Sequence, residues 1–308
     1  MRWPPPLQPG STVALVAPSR GITPADIAPF IDFAQKQKWR LLYGPELFAR
    51  AGIFAGADNH RLNALQQALD SPEINAIWCV RGGHGVSRLW EALSWAGFQR
   101  YPKWLIGFSD ITPLLWAAAK AGIVALHAPL AVQIPHKVSQ STLEKLLFLL
   151  RSEEVDLTIT WHRRPWYAWR EGKAFGMLLG GNLSMLQTLC GTSLDLSVWA
   201  EKPILFWEEV GEYYYRLDRL SWHLRNAGWY KKSTALLVGS LTAMQDNEEE
   251  PLGKLPSEIV SDTYTQSAPL AMGLPAGHDK HNTPLPIGAQ AYLTIEEREA
   301  YLRFWRSS

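Results

Sequence analysis

The chain has 308 residues, 47% of them hydrophobic, with 30 basic against 29 acidic side chains and a formal net charge of +1. That length is enough for one large domain or two ordinary ones. The balanced charge gives no general attraction to nucleic acid or anionic lipid, and no apolar run of about 18 residues is present to span a bilayer. The opening MRWPPPLQPG has three consecutive prolines and no apolar stretch of the secretory kind. The two cysteines, Cys79 and Cys190, sit in AIWCV and MLQTLC and read as small buried hydrophobes, not as a disulfide. A cytoplasmic protein that binds neither membrane nor nucleic acid is expected. The fifteen tryptophans are scattered, as core and domain-interface residues would be.

In chain order, residues 12–17 (TVALVA) read as a buried strand ended by Pro18-Ser19. Residues 27–37 follow as a helix, with Ile27, Phe30, Ile31, Phe33 and Ala34 on its apolar face. A helix over 61–68, a strand over 76–80 and a helix over 86–96 come next, then a strand over 104–108 and helices over 111–121 and 141–151. Strand and helix alternating at this spacing predict a parallel sheet with helices on its faces. Residues 152–172 are polar and Trp-rich, with a short strand pattern, and read as the crossing between two domains, 1–151 and 173–308. The second domain is expected to hold a strand at 174–179, a Gly-Gly-Asn turn and a helix at 183–190. A buried strand at 203–207, a helix at 216–226 and strands at 236–239 and 286–293 follow, with a short helix at the C-terminus. Residues 246–250 read as a solvated acidic loop.

Four short constellations carry chemistry. In WLIGFSD, a strand runs through Gly107 into Ser109 and a helix follows, the arrangement that lifts a serine hydroxyl above a sheet edge. Ile111 stands where the full G-x-S-x-G motif has glycine, and Ser109 or Asp110 could instead cap the helix. Arg81-Gly82-Gly83-His84-Gly85 follows a strand, and its glycines permit positive φ and close approach of a ligand. It reads as an oxyanion donor loop, a phosphate cradle or a plain tight turn. Glu208 and Glu209 end a buried strand, where either a salt bridge to Arg216 or Arg219 or a functional partner would compensate the charge. His278 lies in a Gly/Pro loop. With His281 and Glu208 or Glu209 it also admits a metal reading, although the sequence lacks a helical His-Glu-x-x-His.

Five stretches in order carry a resemblance: VRGGHGVSRLW at 80–90, IGFSDIT at 106–112, LLGGNLSMLQTLCGT at 178–192, ILFWEEVGEYYYRLDRL at 204–220 and GLPAGHDKHNTPLPIGA at 273–289. The chain resembles the LD-carboxypeptidase family, which includes muramoyltetrapeptide carboxypeptidases and microcin-immunity peptidases. The resemblance implies an α/β fold with an N-terminal flavodoxin-like, or amidotransferase-like, parallel-sheet domain and a C-terminal β/α domain. It implies a triad of Ser109, Glu208 and His278, with the nucleophile in the first domain and the other two in the second. The oxyanion would be held by the backbone N–H groups of Asp110 and Gly83. No metal and no cofactor are expected. His84, Ala128 and Asp279 depart from the family pattern, at positions where tyrosine, glycine and glycine are usual; the triad is untouched, but substrate preference is opened to change.

The chemistry suits these residue types. A serine hydroxyl needs a base, an imidazole with an ordinary pKa near about 6.5 supplies one, and a carboxylate on the other ring nitrogen fixes its tautomer. A serine nucleophile implies an acyl-enzyme, and the resemblance implies that the reaction is release of the terminal D-alanine of murein tetrapeptides. The substrate would be a small peptide, free or linked to sugar or nucleotide. The rivals are a microcin-immunity-type peptidase on acylated aminoacyl-nucleotides and a non-catalytic module holding a phosphorylated ligand at 82–85. An exopeptidase also needs a positive group for the terminal carboxylate, which the sequence does not single out. A homodimer is the default assembly.

Overall fold

The computed structural model describes residues 1–306 and divides into two compact units. The first comprises Met1–Glu154 with Lys280–Gly288, the second Val155–Asp279 with Ala289–Arg306.

The first unit is built on β1 (Thr12–Val16), α1 (Pro24–Lys36), β2 (Arg40–Leu42), α2 (Asp58–Asp70), β3 (Ala76–Cys79), α3 (Ala96–Arg100), β4 (Trp104–Gly107), α4 (Thr112–Lys120), β5 (Ala125–His127) and α5 (Gln140–Arg151). Its sheet runs β5-β4-β3-β1-β2, all parallel, and the strand Leu285–Ile287 closes the β5 edge antiparallel. Every residue of β1, β3 and β4 is buried, as strands covered on both faces require. Trp78, Trp104 and Trp116 are fully buried in this core. The indole N–H groups of Trp78 and Trp104 donate to the carbonyls of Pro129 and Pro5, so the rings fill the core without orphaning a donor. Lys103 is also fully buried and caps α2, its ammonium donating to the carbonyls of Ala68 and Leu69 in the last helical turn and of Ser71 just after it. The loops that follow β1, β3 and β4 emerge at one end of this sheet, where ligands of parallel sheets bind.

The second unit holds β6 (Val155–His162), β7 (Trp169–Arg170), β8 (Gly172–Asn182), α6 (Leu183–Gln187), β9 (Ile204–Val210), α7 (Tyr214–Asn226), β10 (Ala235–Thr242), α8 (Pro256–Thr263) and β11 (Leu270–Met272). The Leu285–Ile287 strand of the first sheet is β12; β13 (Gln290–Ile295) and β14 (Glu299–Arg306) follow. The eight-stranded sheet has the order β6-β14-β13-β8-β9-β10-β11-β7. Its middle, β8 to β11, is parallel, and both flanks are antiparallel. The α/β class and two-sheet organisation match expectation.

Four local expectations do not hold. Residues 286–293 are not one strand: Leu285–Ile287 pairs with β5, whereas Gln290–Ile295 pairs with β8 and β14 after a turn at Gly288, whose φ is +90°. Residues 299–306 form β14 and not a helix: Ala300, Leu302 and Phe304 are buried while Arg303 and Trp305 are exposed, a period of two that pairs the segment with β6 and β13. Residues 86–96 give two short 3₁₀ turns, at Val86–Arg88 and Trp90–Ala92, instead of one helix. Val86, Leu89, Trp90 and Leu93 are nevertheless buried, at the spacing that suggested one helix. Gly180, Gly181 and Asn182 do not turn; they continue β8 opposite Phe206, Trp207 and Glu208. A Cβ on Gly180 would lie 2.0 Å from the Phe206 carbonyl oxygen, so glycine here serves close strand approach.

Candidate active site

Ser109 follows β4 at a sharp strand-to-helix turn, with φ +63°, one of only three non-glycine residues with positive φ among those described. Such backbone costs about 1–2 kcal/mol for an L-residue and persists only where its surroundings hold it. The surroundings are specific. A Cβ on Gly107 would meet Ile111 Cγ2 at 2.9 Å, and Thr112 Oγ1 donates to the Ser109 carbonyl at 2.7 Å. The Asp110 carboxylate, 1% exposed, accepts from Ser19 Oγ at 2.6 Å and from the Val86 N–H at 3.1 Å. Asp110 thus ties the turns after β1 and β3 to the one after β4, and its carboxylate is engaged there instead of capping α4.

The glycine turn after β3 lies against the serine. A Cβ on Gly82 would sit 3.4 Å from Ser109 Cβ and 3.5 Å from its hydroxyl oxygen. Gly83 has φ +112° and is overlain by the Arg20 side chain, whose Cδ would lie 2.6 Å from a Cβ there. Gly85 has φ +144° and packs beneath Arg61, which donates to the carbonyls of Pro18 and Gly85. The phosphate-cradle reading loses ground here, because the amide of Val86 is already held by a buried carboxylate. His84 is exposed, its ring 5.8 Å from that of Phe54. Ala128 is fully buried.

In the second unit, β9 carries Glu208 and Glu209 on opposite faces. Glu208 is fully buried, and its Oε2 lies 2.6 Å from Nδ1 of His278, which donates to it. The expected alternative partners are engaged elsewhere: Arg216 pairs with Glu212 at 2.7 Å, and Arg219 lies over the Tyr215 ring. Two glycines make room for the pair. A Cβ on Gly277 (φ +134°) would come within 2.2 Å of Ser240 Oγ and 2.9 Å of Glu208 Oε2; one on Gly239 would meet the Ala276 carbonyl at 2.4 Å.

Burial and neighbouring charge act against each other at this site. Burial pushes the His278 imidazole toward its neutral form, but the charge and hydrogen bond of Glu208, with Glu209 beyond, outweigh it and raise its pKa above the ordinary value. Burial likewise raises Glu209, against hydrogen bonds from the Val210 N–H, the Asn182 side chain and the Ser184 N–H. Both Glu209 oxygens are occupied by these donors, which argues against Glu209 as a metal ligand. Among the described residues no cluster of three or more His, Cys, Asp and Glu side chains is placed to hold a metal ion.

Sequence reasoning singled out Ser109, Asp110, Gly83, Glu208 and His278. It missed Ser19 and Arg20, which lie in the turn after the first strand; their place at the carboxyl end of β1 was the available signal. It also missed Ser240 beside Glu208.

Comparison with known proteins now gives the class. The LD-carboxypeptidase N-terminal domain model matches residues 13–128, and the C-terminal domain model matches 175–293. The murein tetrapeptide carboxypeptidase of Pseudomonas aeruginosa is 32% identical over 91% of this chain and 92% of its own. A crystal structure of muramoyltetrapeptide carboxypeptidase from Oxalobacter formigenes superposes with TM-score 0.83 at 25% identity, covering 96% of this chain and 98% of the other. The protein MccF, in complex with glutamyl sulfamoyl guanosine, shares the fold, with TM-score 0.83 at 19% identity over 98% of each chain. The molecule is therefore a serine-type carboxypeptidase, a hydrolase. It belongs to the LD-carboxypeptidase family.

Proposed function

We propose that this enzyme hydrolyses the bond to the terminal D-alanine of murein tetrapeptides, in cytoplasmic recycling of cell-wall peptides. Ser109 is the nucleophile, His278 the general base and Glu208 the group that orients it. The observation that carries this reading is the left-handed backbone of Ser109, beside a glycine turn on which a Cβ at Gly82 would lie 3.5 Å from the serine hydroxyl oxygen. A helix-capping serine has no need of such strain.

In the reaction, Ser109 Oγ bonds to the scissile carbonyl carbon while its proton passes to Nε2 of His278. The N–H groups of Asp110 and Gly83 stabilise the oxyanion, each donor contributing about 3 kcal/mol. The C–N bond then breaks, and the imidazolium returns the proton to the departing amine. Water hydrolyses the resulting ester by the same route. Glu208 keeps Nδ1 protonated and stabilises the imidazolium.

The likeness to MccF bound to an aminoacyl sulfamoyl nucleoside supports a second reading, hydrolysis of acylated aminoacyl-nucleotides. Release of D-alanine from a muramyl tetrapeptide, compared with turnover of an acylated nucleotide, decides between them. Ser109→Ala should lower turnover of the true substrate by roughly four to six orders of magnitude. Retention of most of the rate would end the serine assignment.

A further inference from the structure

A carboxypeptidase must recognise a free carboxylate one residue beyond the bond it cuts, and a guanidinium is well shaped to do so. The first unit holds an arginine on the glycine turn that packs against the nucleophile. Arg20 lies in the turn after β1, and its backbone is fastened on both sides. Ser19 donates to Asp110, the Ala55 N–H donates to the Ser19 carbonyl at 3.0 Å, Arg20 itself bridges to Phe54, and the Gly21 N–H donates to the Ile53 carbonyl at 3.1 Å. From this fixed base the aliphatic stem runs across Gly83, with Cγ, Cδ and Nε all within 2.9 Å of where a Cβ would stand. Gly82, next in the chain, is the glycine that touches Ser109.

Arg20 is exposed and makes no ion pair among the described residues. Its cationic neighbours are committed. Arg61 and Arg88 share Asp58, and Arg81 donates to the Gly21 carbonyl at 3.1 Å. Arg50 packs its stem on Gly21 rather than on the glycine turn. Asp110, the buried carboxylate bonded to the adjacent Ser19, is also held by Val86.

We propose that Arg20 binds the terminal carboxylate of the substrate's leaving residue and so confines the enzyme to free C-termini. The proposal rests on the carboxypeptidase reading above, and its test separates the two. A tetrapeptide with a free terminal carboxylate and the same peptide ending in an amide are compared on the wild type, Arg20→Ala, Arg20→Lys and Arg50→Ala, with Ser109→Ala as a blank.

Arg20→Ala should raise KM for the acid by roughly 10- to 100-fold, the value of a lost charge-assisted hydrogen bond, and leave kcat within a few-fold. Turnover of the amide should be unchanged, so that the preference for acid over amide collapses. Arg20→Lys should recover part of that preference, and Arg50→Ala should keep all of it. An unchanged acid-to-amide ratio in Arg20→Ala, or equal loss on both peptides, would overturn the assignment. So would a loss seen only on an acylated nucleotide assayed with the same variants, which would make the bound anion a phosphoryl group. Full activity in Ser109→Ala would instead remove the serine mechanism, whatever Arg20 does.

Discussion

The Ser109 turn and the Glu208–His278 pair, the groups proposed to react, are prepared by different physics. At Ser109 the preparation lies in the backbone: a φ of +63° is held by Thr112, Ile111 and the Asp110 carboxylate. At Glu208 and His278 it lies in charge. A carboxylate taken wholly out of water is matched by one imidazole, and the two glycines nearby leave only enough room for that match. Strain of the first kind is a stability cost that glycine would relieve; burial of the second kind makes each partner depend on the other.

Substitutions can break this contrast. Among substitutions that keep the serine hydroxyl, the largest effect is expected at the buried pair: Glu208→Gln should cost roughly four orders of magnitude in kcat, by loss of the correct tautomer and of imidazolium stabilisation. Gly277→Ala should follow at roughly 100-fold, because its Cβ would displace Glu208 or Ser240 and a misplacement of about 1 Å has that effect.

The pH profile sharpens the comparison further. With the His278 pKa raised, the acid limb of kcat/KM should lie above the ordinary imidazole value. Glu209→Gln should move that limb down modestly, since Glu209 is the smallest of the raising causes. The same shift carries a stability signature. The pair's contribution is present in full below the ordinary imidazole pKa and is lost as pH rises through the raised folded value. A denaturation series across neutral pH checks it, and Glu208→Gln should flatten the trend.

The smallest effect is one on stability, and it should have the opposite sign. Ser109→Gly should abolish turnover yet raise stability by about 1 kcal/mol, seen as a higher Tm, because it releases the left-handed strain. Ser109→Ala, which keeps the strain, should leave Tm near the wild type.

Much of this was readable from sequence where signals were local. The apolar runs of β1, β3, β4 and β9 and the Leu217, Leu220 and Leu224 stripe of α7 fold as their patterns predict. β14 was misread because EEREAYLRFWR is rich in helix formers; its period of two becomes visible only against the partner strands β6 and β13. Arg20 escaped notice for a related reason. Nothing in VAPSR marks it, and its place above Gly83 comes from pairing of Ser19–Gly21 with residues 53–55, which are more than thirty positions distant in the chain.

The return of residues Lys280–Gly288 to the first unit has a practical consequence for anyone dividing this enzyme into pieces. A fragment cut after Glu154 would lack β12, so β5 would present its backbone donors and acceptors to solvent along a bare margin. Such a fragment should self-associate through that margin, and a peptide spanning 280–288 supplied in trans should suppress the association.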